Sequence, residues 1–527
     1  HDLKGAQAGE SPVWRAMWAP RFGFNWDVQG DQSTKLRGGL GVFTSRLPFV
    51  WPASIFTTNG VSSDVVAGLG LELRRPENHL TRPEPGNTGF FFGGGGVSPD
   101  NITPTGGLHI MQDDFMYPRV LRMSLGLDQE LPFGLVGTLE GQFSDKLQGI
   151  VVENVNLLPP NETMDGPDNR PIYAYGINGF TNGLDPGGSR LIDDRYGEGI
   201  LRIRNTTKGY SYNLTAELEK EPARLWSGAT LSGSVSYSYG DAYAINSFGG
   251  DTVGSLWDGN EHVSGTNNLT LDRSEFSQGH RIQVSANWRQ QFSDNFALTT
   301  SVFYTGVSGR PFSYTIGSSN TFNDGAPTVM IGDEGGSPLY YNPTSVDQLN
   351  LSPITDDDGN VLRTVAQQRA DLKQFVSSVD YLDSNRGEYT ERNADRTPFE
   401  GVVDLKFSFE VLGEALGQRQ GVNVNVNVFN FSALLGETLN DLGAGVGKTW
   451  GDRYIGQGSF DVVNFDGYVD PQGTDSNPDN DFVPTYTSGL GTGDDVVRDK
   501  EDIFTKATAG NTYSSFYQVQ LGVKYTF

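Results

Sequence analysis

The chain has 527 residues, of which 36% are apolar, 68 are glycine and none is cysteine; that is sparse filling for several compact cores, and it rules out disulfides, thiol catalysis and thiolate metal sites. A formal charge of −26 argues against nucleic acid as a partner, because phosphate binding needs clustered Lys and Arg, and fits solubility or cation binding instead. No run of about 18 apolar residues is present, which excludes a membrane-spanning helix but not a spanning β-barrel, whose strands need about 9–11 residues with every second one apolar.

Residues 1–19 read as the tail of a loop. From residue 20 onward, segments with a period of two recur to the end of the chain. The first is "RFGFNWDV", with Phe22, Phe24, Trp26 and Val28 on one face. "KLRGGLGVF", "VLRMSLGLD" and "GLVGTLEGQF" follow, then the long segment "GILRIRNTTKGYSYNLTAELE", read as one strand over 199–219. "ATLSGSVSYSYGDAY", "RIQVSANWRQQF", "FALTTSVFYTG" and "GVVDLKFSF" come next. "GVNVNVNVFNF" sets Val422, Val424, Val426 and Val428 against Asn423, Asn425 and Asn427, and "YQVQLGVKYTF" closes the series at eleven strands. After Val428 the phase slips, which predicts a bulge with Phe429 and Phe431 at an interface.

The apolar faces carry almost no charge, whereas the polar faces carry serine, amides and scattered ions. A Lys or Arg facing lipid near mid-bilayer costs roughly 2–4 kcal/mol, so this purity is what a transmembrane antiparallel β-barrel requires. The links decide between that fold and a soluble multi-sheet protein. Short links (29–34, 129–133, 220–228, 293–295, 411–420) alternate with long ones (47–116, 158–198, 247–280, 315–400, 432–511). Long structureless links are uncommon in compact domains, while outer-membrane barrels have tight periplasmic turns and long extracellular loops by construction. The expected fold is therefore all-β, a transmembrane barrel in the bacterial outer membrane with its long loops outside.

Eleven strands are an odd number, and an open sheet in lipid leaves two edges whose backbone groups each cost several kcal/mol unpaired. The expectation is the C-terminal half of a barrel of about 22 strands, a size at which barrels are plugged. The other half would be a separate chain or a segment outside this sequence. Pairing of residues 20–28 with 512–527 would sink that expectation.

Four stretches carry a resemblance: "APRFGFNWDVQGDQSTKLRGGLGVFTSRLPFVW", "SQGHRIQVSANWRQQF", "YTGVSGRPFSYTIG" and "GEYTERNADRTPFEGVVDLKF". Their order and spacing resemble the Oar-like branch of TonB-dependent outer-membrane receptors of Bacteroidota. The terminal "QLGVKYTF", ending in Phe527, looks like a barrel-assembly signal. The resemblance implies a 22-stranded barrel with an N-terminal plug, this chain giving strands 12 to 22 and containing no plug. It also implies energised passage of a bulky ligand, with TonB–ExbB–ExbD and the N-terminal half of the receptor as partners. A surface lipoprotein is a further conceivable partner. The alternatives are a passive porin-like or adhesion barrel and, behind them, a soluble β-rich binding protein.

Candidate site residues fall into three groups. Asn423, Asn425, Asn427, Asp404, Lys406, Arg202, Arg204 and Gln283 are expected to face the lumen and touch plug or ligand, against the simpler reading that they solvate the interior. Phe90, Phe91 and Phe92 stand in a loop expected outside, for contact with a partner or for packing into the barrel mouth. Acidic clusters around Asp356, Asp357 and Asp358, and around Asp470, Asp475, Asp479 and Asp481, present oxygens of the kind calcium takes. Neither has a full calcium-loop spacing, so a solvated acidic loop is the first reading. The five histidines are scattered at no zinc or triad spacing, and no enzymatic activity is expected.

Overall fold

In this protein's structure, a computed structural model, the described residues are 16–58, 107–160, 162–172, 199–246, 252–318, 337–356, 358–415, 418–442, 450–454, 458–469, 483–492, 496–500 and 515–526, with Ile192, Tyr196 and Ile503. An unbroken path of eleven antiparallel strands, each bonded to the next in chain order, runs through its main sheet. They are β1 (Arg21–Asp27), β2 (Thr34–Thr44), β3 (Arg119–Leu131), β4 (Leu135–Asn154), β5 (Gly209–Trp226) and β6 (Ala229–Ala244). Then come β7 (Gly279–Ser293), β8 (Phe296–Val307), β9 (Glu400–Ala415), β10 (Gln418–Phe429) and β11 (Gln518–Thr526). These are the alternating segments of the sequence, with ends moved by a few residues.

Register aligns the apolar positions into rows, because in each antiparallel pair directly opposed residues point to the same side of the sheet. One row runs Trp26, Leu36, Leu127, Leu139, Ala216, Tyr237 and Ile282 across seven strands. Another joins Val302, Leu405, Val428 and Val519. Among the described residues nothing covers this face at β11: Leu521 is 67% and Val523 68% exposed. Exposed aromatic side chains (Trp26, Phe133, Trp226, Phe292, Phe296, Tyr525) gather near the short turns, as in the interfacial girdle of a membrane barrel. The strands form a wall, apolar on one face.

β1 bonds only to β2 and β11 only to β10, so the wall is an open sheet among the described residues. The pairing that would have closed an eleven-stranded barrel is not made.

Two details differ from the sequence reading. The segment 199–219 is two strands, Ile200–Thr206 and β5, interrupted before Gly209 (φ +129), where a Cβ would meet the Lys146 side chain at 2.7 Å. Ile200–Thr206 leaves the wall to pair in parallel with Leu108–Met111 and antiparallel with the outer end of β4. The expected bulge after Val428 is also absent. Val428 and Phe429 stay in register with Val519 and Gln518, and the chain then turns at Asn430 (φ +51) into a helix, Phe431–Asp441. Asn tolerates this left-handed conformation, and its Oδ1 accepts from Ser432 Oγ (2.9 Å) and the Ala433 amide (3.3 Å), as a helix cap does.

The long links all leave the same end of the wall and fold over it into a cap. It contains five helices among the described residues: α1 (Val50–Thr57), α2 (Val253–Asp258), α3 (Val365–Ser378), α4 (Asp380–Ser384) and α5, the Phe431–Asp441 helix. Thr364 and Gln367 cap α3 reciprocally, the Thr364 side chain accepting from the Gln367 amide at 3.3 Å and the Gln367 side chain from the Thr364 amide at 3.0 Å. The helix buries Leu372, Phe375 and Val376. These meet Met164 and Ile172 from one link, Phe312, Tyr314 and Tyr340 from the α3 link, and Val462, Phe465 and Tyr486 from the last. A second cluster joins Trp51, Ile55, Met111, Leu256 and Trp257 to Ile150 and Val152 at the outer end of β4.

Candidate functional site: the polar wall face and its junction with the cap

Opposite the apolar rows, the other wall face presents amides, hydroxyls and paired ions. Six of the eight residues expected inside lie on it. Asn423 stands between Glu410 and Lys524, Asn425 between Ser408 and Gly522, and Asn427 between Lys406 and Gln520. Ser408 Oγ donates to Asn423 Oδ1 (3.1 Å), and Asn427 Nδ2 donates to Gln520 Oε1 (3.4 Å). Gln283 lies between Ser236 and Thr305, and Lys406 between Ser301 and Asn427. Asp404 accepts the Asn430 amide at 2.7 Å, so it fixes the corner where β10 gives way to α5.

Some of the charges on this face pair within it. Arg37 reaches Asp128 (3.1 Å) and Glu140 (2.7 Å), and Arg289 reaches Glu410 (2.8 Å). Hydroxyl pairs cross strands at 3.0 Å, Thr215 with Ser238 and Ser234 with Ser285. The result is a hydrogen-bonding surface with charges of both signs.

Arg202 and Arg204 are elsewhere. Both lie on the cap strand Ile200–Thr206 and both engage Glu153, Arg204 at 2.7 Å. They hold that strand to β4 above the wall. Alternation lapses over 205–209, and the apolar positions change parity from Leu201 and Ile203 to Tyr210, Tyr212 and Leu214, a local signal of the departure.

Three stretches quoted for the resemblance converge where cap meets wall. Asp241, 4% exposed at the outer end of β6, is held by Arg273 (3.2 Å) and by the Ser277 hydroxyl, with Arg396 at 4.0 Å. Arg396 Nη1 donates to the carbonyls of Ser277 (3.1 Å) and Gly309 (3.2 Å). Arg392 donates to the carbonyls of Ala244 and Ile245, and Asn393 Nδ2 to that of Arg273 (2.8 Å). Asp395 accepts from Tyr314 (2.9 Å) and pairs with Lys500 of the last link. Gly309 has no alternative there: a Cβ would lie 1.9 Å from the Thr397 carbonyl oxygen. "ERNADRTP" is thus a strap that ties the outer end of β6 to the links that follow β6, β8 and β10, a role that residue types alone did not reveal.

Within the cap, Arg170 is fully buried, with Nε and Nη2 on the two Asp168 oxygens (2.7 and 2.9 Å) and Nη2 also on the Leu339 carbonyl (2.8 Å). The Tyr389 ring lies 5.3 Å from its guanidinium. Burial alone would push this guanidinium's pKa down, but the Asp168 carboxylate outweighs it and the pKa is raised.

The acidic turn at Asp356 has a local explanation. Its carboxylate accepts the Asn360 amide (2.7 Å), the Asp358 amide (3.1 Å) and Asn360 Nδ2 (2.9 Å), closing the hairpin Ile354–Thr355/Val361–Arg363. The Asn360 side chain and amide hold its pKa below the usual carboxylate value. Among the described residues no group of three His, Asp or Glu is placed to hold a metal. Phe90, Phe91, Phe92, Asp475, Asp479 and Phe527 lie outside the described residues.

Comparison with known proteins adds a family. A family model described as an outer membrane beta barrel domain matches residues 6–405, from the start of the wall into β9, and β10 and β11 continue the same sheet beyond it. No curated protein matches the sequence. Solved structures with a partial likeness in backbone include the outer membrane transporter YddB from Escherichia coli, at 9% identity and TM-score 0.36 over 78% of this chain and 36% of that one. A mutant of the ferric enterobactin receptor PfeA from Pseudomonas aeruginosa gives 10%, 0.32, 79% and 35% in the same order. The siderophore receptor PirA from Acinetobacter baumannii gives 9%, 0.30, 78% and 36%. The chain thus spans about a third of the length of the structures it matches.

Proposed function

We propose, since the chain belongs to the family of outer membrane beta barrel domains and is a protein of the bacterial outer membrane, that it forms part of the wall and the extracellular cap of a TonB-dependent transporter for a bulky ligand. The observation that carries this reading is the open wall: eleven strands, apolar on one face and amide-rich on the other, with β1 and β11 each unpaired on one edge among the described residues. In lipid those edges must be met by further strands. A barrel about twice this size has a lumen wide enough for a plug. The amides and hydroxyls of the polar face suit contact with such a plug, because they exchange hydrogen bonds without adding charge.

In this reading the remaining strands and the plug belong to the N-terminal half of the same receptor, the family branch is the Oar-like one of Bacteroidota, and TonB–ExbB–ExbD supplies the energy. The cap, outside the cell, screens what enters. The test has two arms. In outer-membrane vesicles, Trp26→Cys in β1 combined with Val523→Cys in β11 should give no disulfide within the chain; high-yield oxidation would mean that the wall closes on itself. In cells, the growth defects of a deletion strain across a nutrient panel should be reproduced by loss of TonB. A nutrient phenotype that needs this protein yet persists without TonB would favour a passive pore.

A further inference from the structure

Three links of the cap line a cavity of about 60 Å³, with exposed residues (Gly166, Pro167, Gln348, Asn350) at its rim. One water needs about 10–15 Å³ measured in this way, so the space admits a group of several heavy atoms. Its lining is mainly apolar and aromatic, with Tyr340, Tyr341, Tyr486 and Leu349 prominent, and its only charged residues are Asp165 and Asp168.

The two aspartates differ. Asp168 is matched by Arg170, which binds both of its carboxylate oxygens. Asp165 is half-buried; among the described residues it makes no ion pair, and its Oδ2 is sequestered without a hydrogen-bond partner. The hydroxyl of Tyr340, which can both donate and accept, also lacks a partner among the described residues, on a side chain only 1% exposed. A donor that carries positive charge would match the carboxylate and supply the bonds these two oxygens lack, since a buried polar group left unmade costs about 1–3 kcal/mol. A divalent metal fits poorly, because it takes several hard oxygen ligands and no group of three acidic or histidine side chains stands there. Water would satisfy the hydrogen bonds but leave the carboxylate's charge unmatched. An ammonium supplies three N–H donors and a full charge, and aromatic faces attract it.

We propose that this cavity binds a primary alkylammonium group, with Asp165 as counter-ion, the Tyr340 hydroxyl as acceptor, and the tyrosine rings as its walls. The same chemistry is offered by a lysine side chain, a free amino terminus and a small aliphatic amine. The site is complete within the cap and holds whatever the barrel carries.

Calorimetric titration of the purified full chain in detergent tests it, with n-butylammonium chloride as probe and n-butanol and sodium chloride as controls. Butylammonium should bind saturably and raise the melting temperature of the cap, while butanol should do neither. Asp165→Asn should weaken binding roughly tenfold or more, the loss of one charge-assisted hydrogen bond. Tyr340→Phe, which removes one oxygen without opening a void, should weaken it severalfold. Competition by N-acetyl-lysine methylamide would identify the lysine side chain as a source, and competition by glycinamide a free amino terminus. Equal responses to butylammonium and sodium, or binding unchanged in both variants, would overturn the proposal and leave a water-filled cavity.

Discussion

Wall and cap bury their apolar residues by opposite means. In the wall, apolar side chains of every strand share a face with no protein against it among the described residues, and stability within the chain comes from strand ladders and cross-strand pairs. In the cap, short strands and four of the helices, α1 to α4, build the hydrophobic clusters, to which the wall adds only Ile150 and Val152 at the outer end of β4. One chain thus uses two solvents: the wall needs hydrocarbon outside it, and the cap needs water around it. The contrast teaches that exposure has no fixed meaning. Leu521 at 67% exposed is in its proper place, while Phe375 at 0% is in its own.

Substitutions that respect one solvent and violate the other separate the two regions. Phe375→Ala should have the largest effect, about 3–5 kcal/mol lost from the cap by cavity formation, seen as faster hydrogen exchange in peptides from 365–384 while wall peptides stay protected. Equal loosening of both regions would show that they fold as one unit. Val426→Arg, between Phe407 and Leu521 near the middle of β10, should destabilise the wall by about 2–4 kcal/mol in a bilayer, measured as unfolding in urea from lipid vesicles. It should leave cap exchange untouched.

A pH series sharpens the comparison from the cap side. Burial pushes the His109 imidazole down to about 4, and its Nδ1 has no hydrogen-bond partner. Between pH 6.5 and about 4 the unfolded chain therefore binds a proton that the folded cap refuses. Cap stability should be complete above that window and fall as pH drops through it. His109→Phe should flatten the response of peptides around 108–111, and an unchanged slope would assign the effect to other groups. The smallest effect is expected from Asn425→Ser, on the wet wall face: within about 0.5 kcal/mol in the same urea unfolding, as for an ordinary surface exchange.

The wall was legible in the sequence because its information is local. Alternation such as that of 421–429 states both the strand and its two faces, and antiparallel succession does the rest. The cap was not, because its contacts join distant residues: Tyr486 packs with Phe465 and also reaches Met164, 322 residues away. Its strands are often two residues long, too short to show a period. α3 was the exception that could have been found. Thr364 and Gln367 form a capping box just before Leu372, Phe375 and Val376, a helix signature inside what alternation alone marks as a loop. Of the candidate site, the alternation places Asn423, Asn425 and Asn427 on one face, and the strand register does the same. The strap at 391–397 was visible as a string of polar residues, but Arg392 and Arg396 acquire meaning only when Ala244, Ser277 and Gly309 come within reach.

The main cap cluster has members from Met164 to Ile503, drawn from links that leave the wall between different pairs of strands. None of those links can complete it alone, and the last contributor, Ile503, lies between β10 and β11. Assembly of the cap therefore waits for that link, with a high contact order and correspondingly slow closure. Until it is in place, the apolar surfaces of the earlier links stand open. A finished cap thus certifies that the last link has arrived, and a stalled one displays the sticky surface by which quality control would know it.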